Sequence, residues 1–122
     1  MRGALLEALW RQDEPNIFLS HKQFIDSFDG WDVQPHEADG KLVGVTMTKG
    51  PEFHFATFGQ KWGLRRADIR HYLLPILKAH GYVLTKTPRD DTRQARFNHL
   101  IGFRVVGSDE FYTHYRLEEL NA

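Results

Sequence analysis

Apolar positions in the first thirty residues recur at helical spacing and then switch to alternation. Leu5, Leu6, Leu9 and Trp10 predict an amphipathic helix over residues 3–12, ended by Asp13-Glu14-Pro15-Asn16. Phe18, His21, Phe24, Ile25 and Phe28 predict a second over 17–28, stopped by Asp29-Gly30. From Trp31 the period is two. Trp31–Glu37 and Lys41–Thr48 flank Asp39-Gly40, a strong hairpin signal, and Pro35 marks the first of them as an edge or bulged strand. After Lys49-Gly50-Pro51, the aromatic-rich run from Glu52 to Phe58 reads as a third strand. Leu64 to His80 is helical, with Ile69, Leu73, Ile76 and Leu77 facing inward, Pro75 as an expected kink and Gly81 as its stop. Tyr82–Lys86 is a strand, and Asp91–Ile101 a helix capped by Asp90 or Asp91. Phe103–Val106 and Glu110–Leu117 form a terminal hairpin around Gly107-Ser108-Asp109, with the last strand as a sheet edge. An antiparallel run followed by a strand–helix–strand crossover predicts a single α/β (α+β) domain over residues 1–122, its sheet mixed but mostly antiparallel and its helices on both faces.

A chain of 122 residues is large enough to bury a core unaided, and the absence of cysteine removes disulfide frameworks, thiolate nucleophiles and cysteine-based zinc sites together. No apolar run approaches the roughly 18 residues of a membrane span, and Met1–Glu7 has no signal-peptide character, so a cytoplasmic protein is expected. Net charge is zero but unevenly placed. Residues 1–59 hold 5 basic and 9 acidic groups, residues 60–104 hold 10 and 3, and residues 105–122 hold 1 and 4. A basic middle between acidic flanks points to an anionic ligand bound locally, against the alternative of solvated basic helix faces. The loop Gly59-Gln60-Lys61-Trp62-Gly63-Leu64-Arg65 delivers a strand into a helix, where unpaired backbone N–H groups hold phosphate well.

Residues 31–117 resemble the GCN5-related N-acetyltransferase (GNAT) superfamily on three features: strand Phe53–Phe58 running into Gln60-x-x-Gly63-x-Arg65, the helix behind it, and a later helix finishing in Ile101-Gly102-Phe103. In that family the loop wraps the pyrophosphate of acyl-CoA, and a glycine or alanine stands where this chain has Arg65. Lys61, Arg65, Arg66 and Arg70 could supply charge in place of close backbone approach. Many members carry a tyrosine acid five residues before the phenylalanine of the Gly-Phe pair. Here that position is Asn98, whose amide cannot yield a proton at neutral pH. The asparagine that often opens the later helix is Asp91. The run Thr92–Gly102 is also similar to GNAT-like proteins of tailed phages, including internal virion proteins of podoviruses, and no first strand precedes the two opening helices. A reduced, phage-type member is therefore expected.

The resemblance implies acetyl-CoA, or another acyl-CoA, held by backbone groups of Phe55, Ala56, Thr57 and Phe58 and by Gln60, Lys61, Trp62, Gly63, Leu64 and Arg65, with Asn98 nearby. Glu52 and His54 alternate onto one strand face and are candidate bases, against a plain reading of His54 as a hydrogen-bonded sheet histidine. Tyr112, with Tyr115 and His114, is a candidate acid in an aromatic strand that also reads as packing. The acceptor would be an amine on a small molecule or protein. Other virion proteins and a second copy of the chain, paired through a sheet edge, are further partners compatible with the family. The scattered histidines make no metal-ligand pair, and no hydrolase elbow or nucleoside-triphosphate loop is present. Arg89, Arg93, Arg96 and Arg104 with Phe97 form no recognised nucleic-acid module, which disfavours that partner. Two readings stay open: a CoA-dependent N-acyltransferase, and a GNAT-shaped virion or interaction protein without catalysis.

Overall fold

The computed structural model of the chain describes residues 1–13, 19–58 and 64–121. Its elements are α1 (Arg2–Asp13), α2 (His21–Asp26), β1 (Asp32–Ala38), β2 (Lys41–Lys49), β3 (Glu52–Thr57), α3 (Arg66–His80), β4 (Val83–Pro88), α4 (Thr92–Ile101), β5 (Arg104–Ser108) and β6 (Tyr112–Leu117). The strands hydrogen-bond in the order β1-β2-β3-β4-β6-β5. β1 with β2, β4 with β6 and β5 with β6 are antiparallel, whereas β3 and β4 run parallel. A parallel pair needs a crossover, and α3 supplies it. The α/β class with a mostly antiparallel sheet is thus the one observed. The chain divides into two compact units, Met1–Lys49 with Phe55–Gly63, and Gly50–His54 with Leu64–Ala122.

In the first unit α1 lays Leu5, Leu6 and Leu9 against Val33, Val45 and Met47, and Phe24, Ile25, Phe28, Trp31, Ala56 and Phe58 close the cluster. Helix α2 is shorter than the apolar spacing predicts. Ser20 is its N-cap: Ser20 Oγ accepts from the Gln23 N–H at 3.1 Å and Gln23 Oε1 accepts from the Ser20 N–H at 2.9 Å. That reciprocal box sets the start. Residues 17 and 18, which the prediction included, lie outside the described residues. Pro35 sits on a strand that is both a sheet edge and bulged, between His36 and Glu37.

In the second unit α3 buries Ile69, Leu73 and Ile76, and the Phe53 and Tyr72 rings stack at 5.9 Å. Val83, Thr87, Tyr115 and Leu117 are buried on β4 and β6, as are Asn98 and Ile101 on α4. Helix α3 begins at Arg66 and runs continuously through Pro75, which lies on its exposed side, where the freed His71 carbonyl can turn to water. Two expectations for the terminal hairpin need correction. Its turn is centred on Asp109, whose Oδ1 accepts from the N–H groups of Phe111 and Tyr112 at 2.9 and 2.8 Å, and Gly107 belongs to β5 beside a bulge. β6 is not the edge: it lies between β4 and β5, and the edge strand is β5, exposed along its whole length. Tyr115 and Leu117 explain the placement, since both need cover that an edge strand lacks.

Candidate active site

The parallel pairing of β3 and β4 registers Glu52 with Leu84. Paired residues share a sheet face and side chains alternate, so Glu52 and His54 stand on the same face of the second unit as Leu84 and Lys86. On β4 and β6 the partners are Lys86 with His114 and Pro88 with Tyr112, which adds Tyr112 and His114 to that face. His54 Nε2 lies 3.2 Å from Glu52 Oε2, with the imidazole 20% exposed and the carboxylate 46%. Burial holds the His54 pKa below the usual 6.5, Glu52 opposes the shift, and the positive charge of Lys86 adds to it. The imidazole is therefore neutral over more of the acid range than a free histidine. Lys86 Nζ sits 4.4 Å from the centre of the Tyr112 ring. His114 Nε2 lies 2.7 Å from Asp109 Oδ2, and this bond, with the two turn N–H groups, takes the Asp109 carboxyl down to about 2.

Beyond His54, strand β3 belongs to the first unit, and there its backbone is closely held. The Thr57 carbonyl accepts from Gln12 Nε2 at 2.8 Å, and the Phe58 N–H donates to the Val43 carbonyl at 2.9 Å. The Phe55 ring meets His36 edge-on at 5.5 Å. Gly44 makes this packing feasible: a Cβ there would stand 2.7 Å from the Ala56 oxygen and 2.8 Å from the Phe55 ring. A glycine inside a strand signals such an approach, and Gly44 is the residue of this packing that a reading of β2 could have found.

Gln60, Lys61, Trp62 and Gly63 lie outside the described residues. Leu64 is half-buried, and Arg65 is the N-cap of α3 with its backbone N–H donating to Asp68 Oδ2 at 2.9 Å. A carboxylate thus stands at the helix start that the sequence assigned to phosphate, flanked by the exposed Arg65, Arg66 and Arg70. Asn98 is 2% exposed; its Nδ2 donates to Thr87 Oγ1 at 2.9 Å and its Oδ1 accepts from Gln94 Nε2 at 3.1 Å. The amide ties α4 to β4 inside the second unit. Lys86 is the functional candidate that sequence reasoning passed over, because its place beside Glu52 and His54 exists only once β4 has paired.

A separate depression of about 320 Å³ is lined by Gly102, Arg104, Arg116, Glu118, Glu119 and Asn121. Glu118 Oε1 lies 2.8 Å from Arg104 and 2.7 Å from Arg116, so the two cations there share one carboxylate. Among the described residues no three His, Asp or Glu side chains gather as a metal site, and no helix is long and apolar enough to cross a membrane.

The chain shares its fold with solved GCN5-related N-acetyltransferases. The chain is similar in structure to PH1933 from Pyrococcus horikoshii OT3, with a TM-score of 0.71 and 12% identity, covering 97% of this chain and 90% of that one. Mutant forms of the spermidine/spermine N-acetyltransferase SpeG from Vibrio cholerae match with a TM-score of 0.68 and 14% identity, over 99% and 90% of the two chains. A GNAT family acetyltransferase from Elizabethkingia anophelis with acetyl-CoA bound matches with 0.59 and 13%, over 80% and 83%. At these identities the likeness is one of fold. No protein-family profile and no curated protein matches the chain.

Proposed function

We propose that the chain is a CoA-dependent N-acyltransferase that moves an acyl group from acetyl-CoA to an amine. The observation that carries this reading is His54, kept neutral by burial on β3 and bonded to Glu52, on the strand that the fold's acetyltransferases share. Of the backbone groups on this strand, those of Phe55 and Ala56 would hold the acyl and pantetheine portions, since the Thr57 carbonyl and the Phe58 N–H are engaged by Gln12 and Val43. Gln60 to Arg65 would hold the pyrophosphate. The cations around the start of α3 suit that diphosphate, while the Asp68 carboxylate opposes it. The acceptor nitrogen attacks the thioester carbonyl, forming a C–N bond as the C–S bond breaks. His54 takes the proton the amine loses, and Glu52 steadies the imidazolium. Tyr112 is the proton source for the leaving thiolate, in the place where Asn98 can give none. The structure solved with acetyl-CoA on the same fold supports the choice of acyl donor.

A second reading is a GNAT-shaped interaction protein without catalysis. Arg65 at a small-residue position, Asp68 at the helix start and the committed amide of Asn98 favour it. A phage-type origin and virion partners rest on the sequence of Thr92–Gly102 and on the lack of a first strand before the opening helices, and go with this reading. Calorimetry with acetyl-CoA separates the two. The transferase is expected to bind at micromolar affinity and to lose about tenfold on Arg65→Glu, a difference of ~1.4 kcal/mol. No heat at high ligand concentration leaves the interaction protein.

A further inference from the structure

We propose that Lys86 selects the acceptor: the site takes a short amino-carboxylate, with its ammonium at Glu52 and His54 and its carboxylate at Lys86. This deepens the transferase reading and rests on it. The charges on this face of the second unit favour such a ligand. Glu52 is half-exposed on β3, and Lys86 is exposed on β4, one strand away and on the same face. Among the described residues no ion pair is seen at Lys86, and the Tyr112 ring, 4.4 Å from Nζ, positions the ammonium without neutralising it. The neighbouring polar groups on the same face already have partners, His114 at Asp109 and Arg116 at a Glu118 carboxylate that it shares with Arg104. An anion and a cation therefore face solvent on the same sheet face, diagonally across β3 and β4, and a zwitterion complements both.

The same arrangement excludes another class of amine. A diamine placed with one nitrogen at His54 brings its second ammonium towards Lys86, where like charges repel with little counter-charge to relieve them. Length is limited too. Directly opposed residues on neighbouring strands are about 4.8 Å apart, and Lys86 lies two residues beyond the partner of Glu52, so a ligand bridging the two charges is still only a few bonds long between its amine and its carboxylate. A free amino acid or a close homologue meets that condition. A long polyamine, the acceptor that SpeG is named for, does not.

The test compares γ-aminobutyrate with putrescine, which differ in carrying a carboxylate or a second ammonium at the far end. Binding of each is measured by saturation-transfer NMR on the full chain, without and with acetyl-CoA. The unaltered protein is expected to bind γ-aminobutyrate about tenfold more tightly than putrescine. Lys86→Glu should reverse that order, Lys86→Gln should abolish the discrimination, and Lys86→Arg should keep it. Equal or tighter binding of putrescine by the unaltered protein overturns the assignment, as does an unchanged ratio in Lys86→Glu or no binding of either probe. Acetyl-CoA titrated alone reports separately on the transferase reading. A protein that discriminates the two amines yet ignores acetyl-CoA keeps the amino-carboxylate site and loses the transfer chemistry.

Discussion

His54 shows how one residue joins stability to chemistry. Its folded-state pKa lies below the usual 6.5 because burial disfavours the imidazolium, so the unfolded chain takes up the proton first as pH falls. Stability is therefore expected to decline as pH drops below 6.5, in proportion to that shift, and His54→Gln should flatten this part of a thermal-unfolding series against pH. For catalysis the same depression keeps the base ready: thiol release from acetyl-CoA should already be at its plateau at neutral pH. Replacing His54 by Gln should slow turnover about a hundredfold, within the range general-base help supplies. A rate indifferent to His54→Gln removes it from the mechanism. Gly44 is the second residue whose identity is decided by contact. The methyl of Gly44→Ala would have to displace the Ala56 carbonyl and the Phe55 ring, and urea unfolding should register a loss of about 1–3 kcal/mol.

Elements start and stop where backbone groups find partners, and this corrects boundaries that apolar spacing sets too wide. The Ser20 and Gln23 box begins α2, Asp91 Oδ1 accepts from the Gln94 N–H at 3.0 Å to begin α4, and Gly102 ends α4 at φ +111. Gly102 has a second reason to lack a side chain, since a Cβ would fall 2.5 Å from the Glu119 oxygen. The Ile101-Gly102-Phe103 ending is accordingly structural: two buried side chains around a left-handed residue against which the C-terminal segment closes, with the Asn121 N–H on the Ile101 carbonyl at 3.0 Å. Helix α4 is joined to β4 by the Asn98 and Thr87 bond. Asn98→Ala would leave the buried Thr87 hydroxyl without its partner, which costs about 1–3 kcal/mol, and the shift should appear in the urea midpoint. An unchanged midpoint would show that water replaces the amide.

Across the whole molecule the uneven charge is the property most directly tested. A surplus of cations between residues 60 and 104 should make acetyl-CoA binding weaken steadily as salt screens them. An affinity flat from low to high ionic strength would show that contacts other than charge hold the donor. The α/β class, the hairpin β1–β2, the strand β3, the helices and the shared face of Glu52 and His54 were all legible in the sequence, because each depends on local period, turn chemistry or alternation along one strand. The loop Gly59–Gly63 was legible only as a motif. The position of β6 inside the sheet, the burial of Asn98 and the carboxylate of Asp68 at the start of α3 were not legible. Each depends on which strand or helix end comes alongside, and a residue's own neighbours in sequence carry no record of that. Lys86 belongs to the same group: alternation sets its side of β4, but only the parallel pairing with β3 sets that side beside His54. Period and capping chemistry act over a few residues and could be read from the chain, whereas strand order arises from long-range burial, and the structure alone decided it.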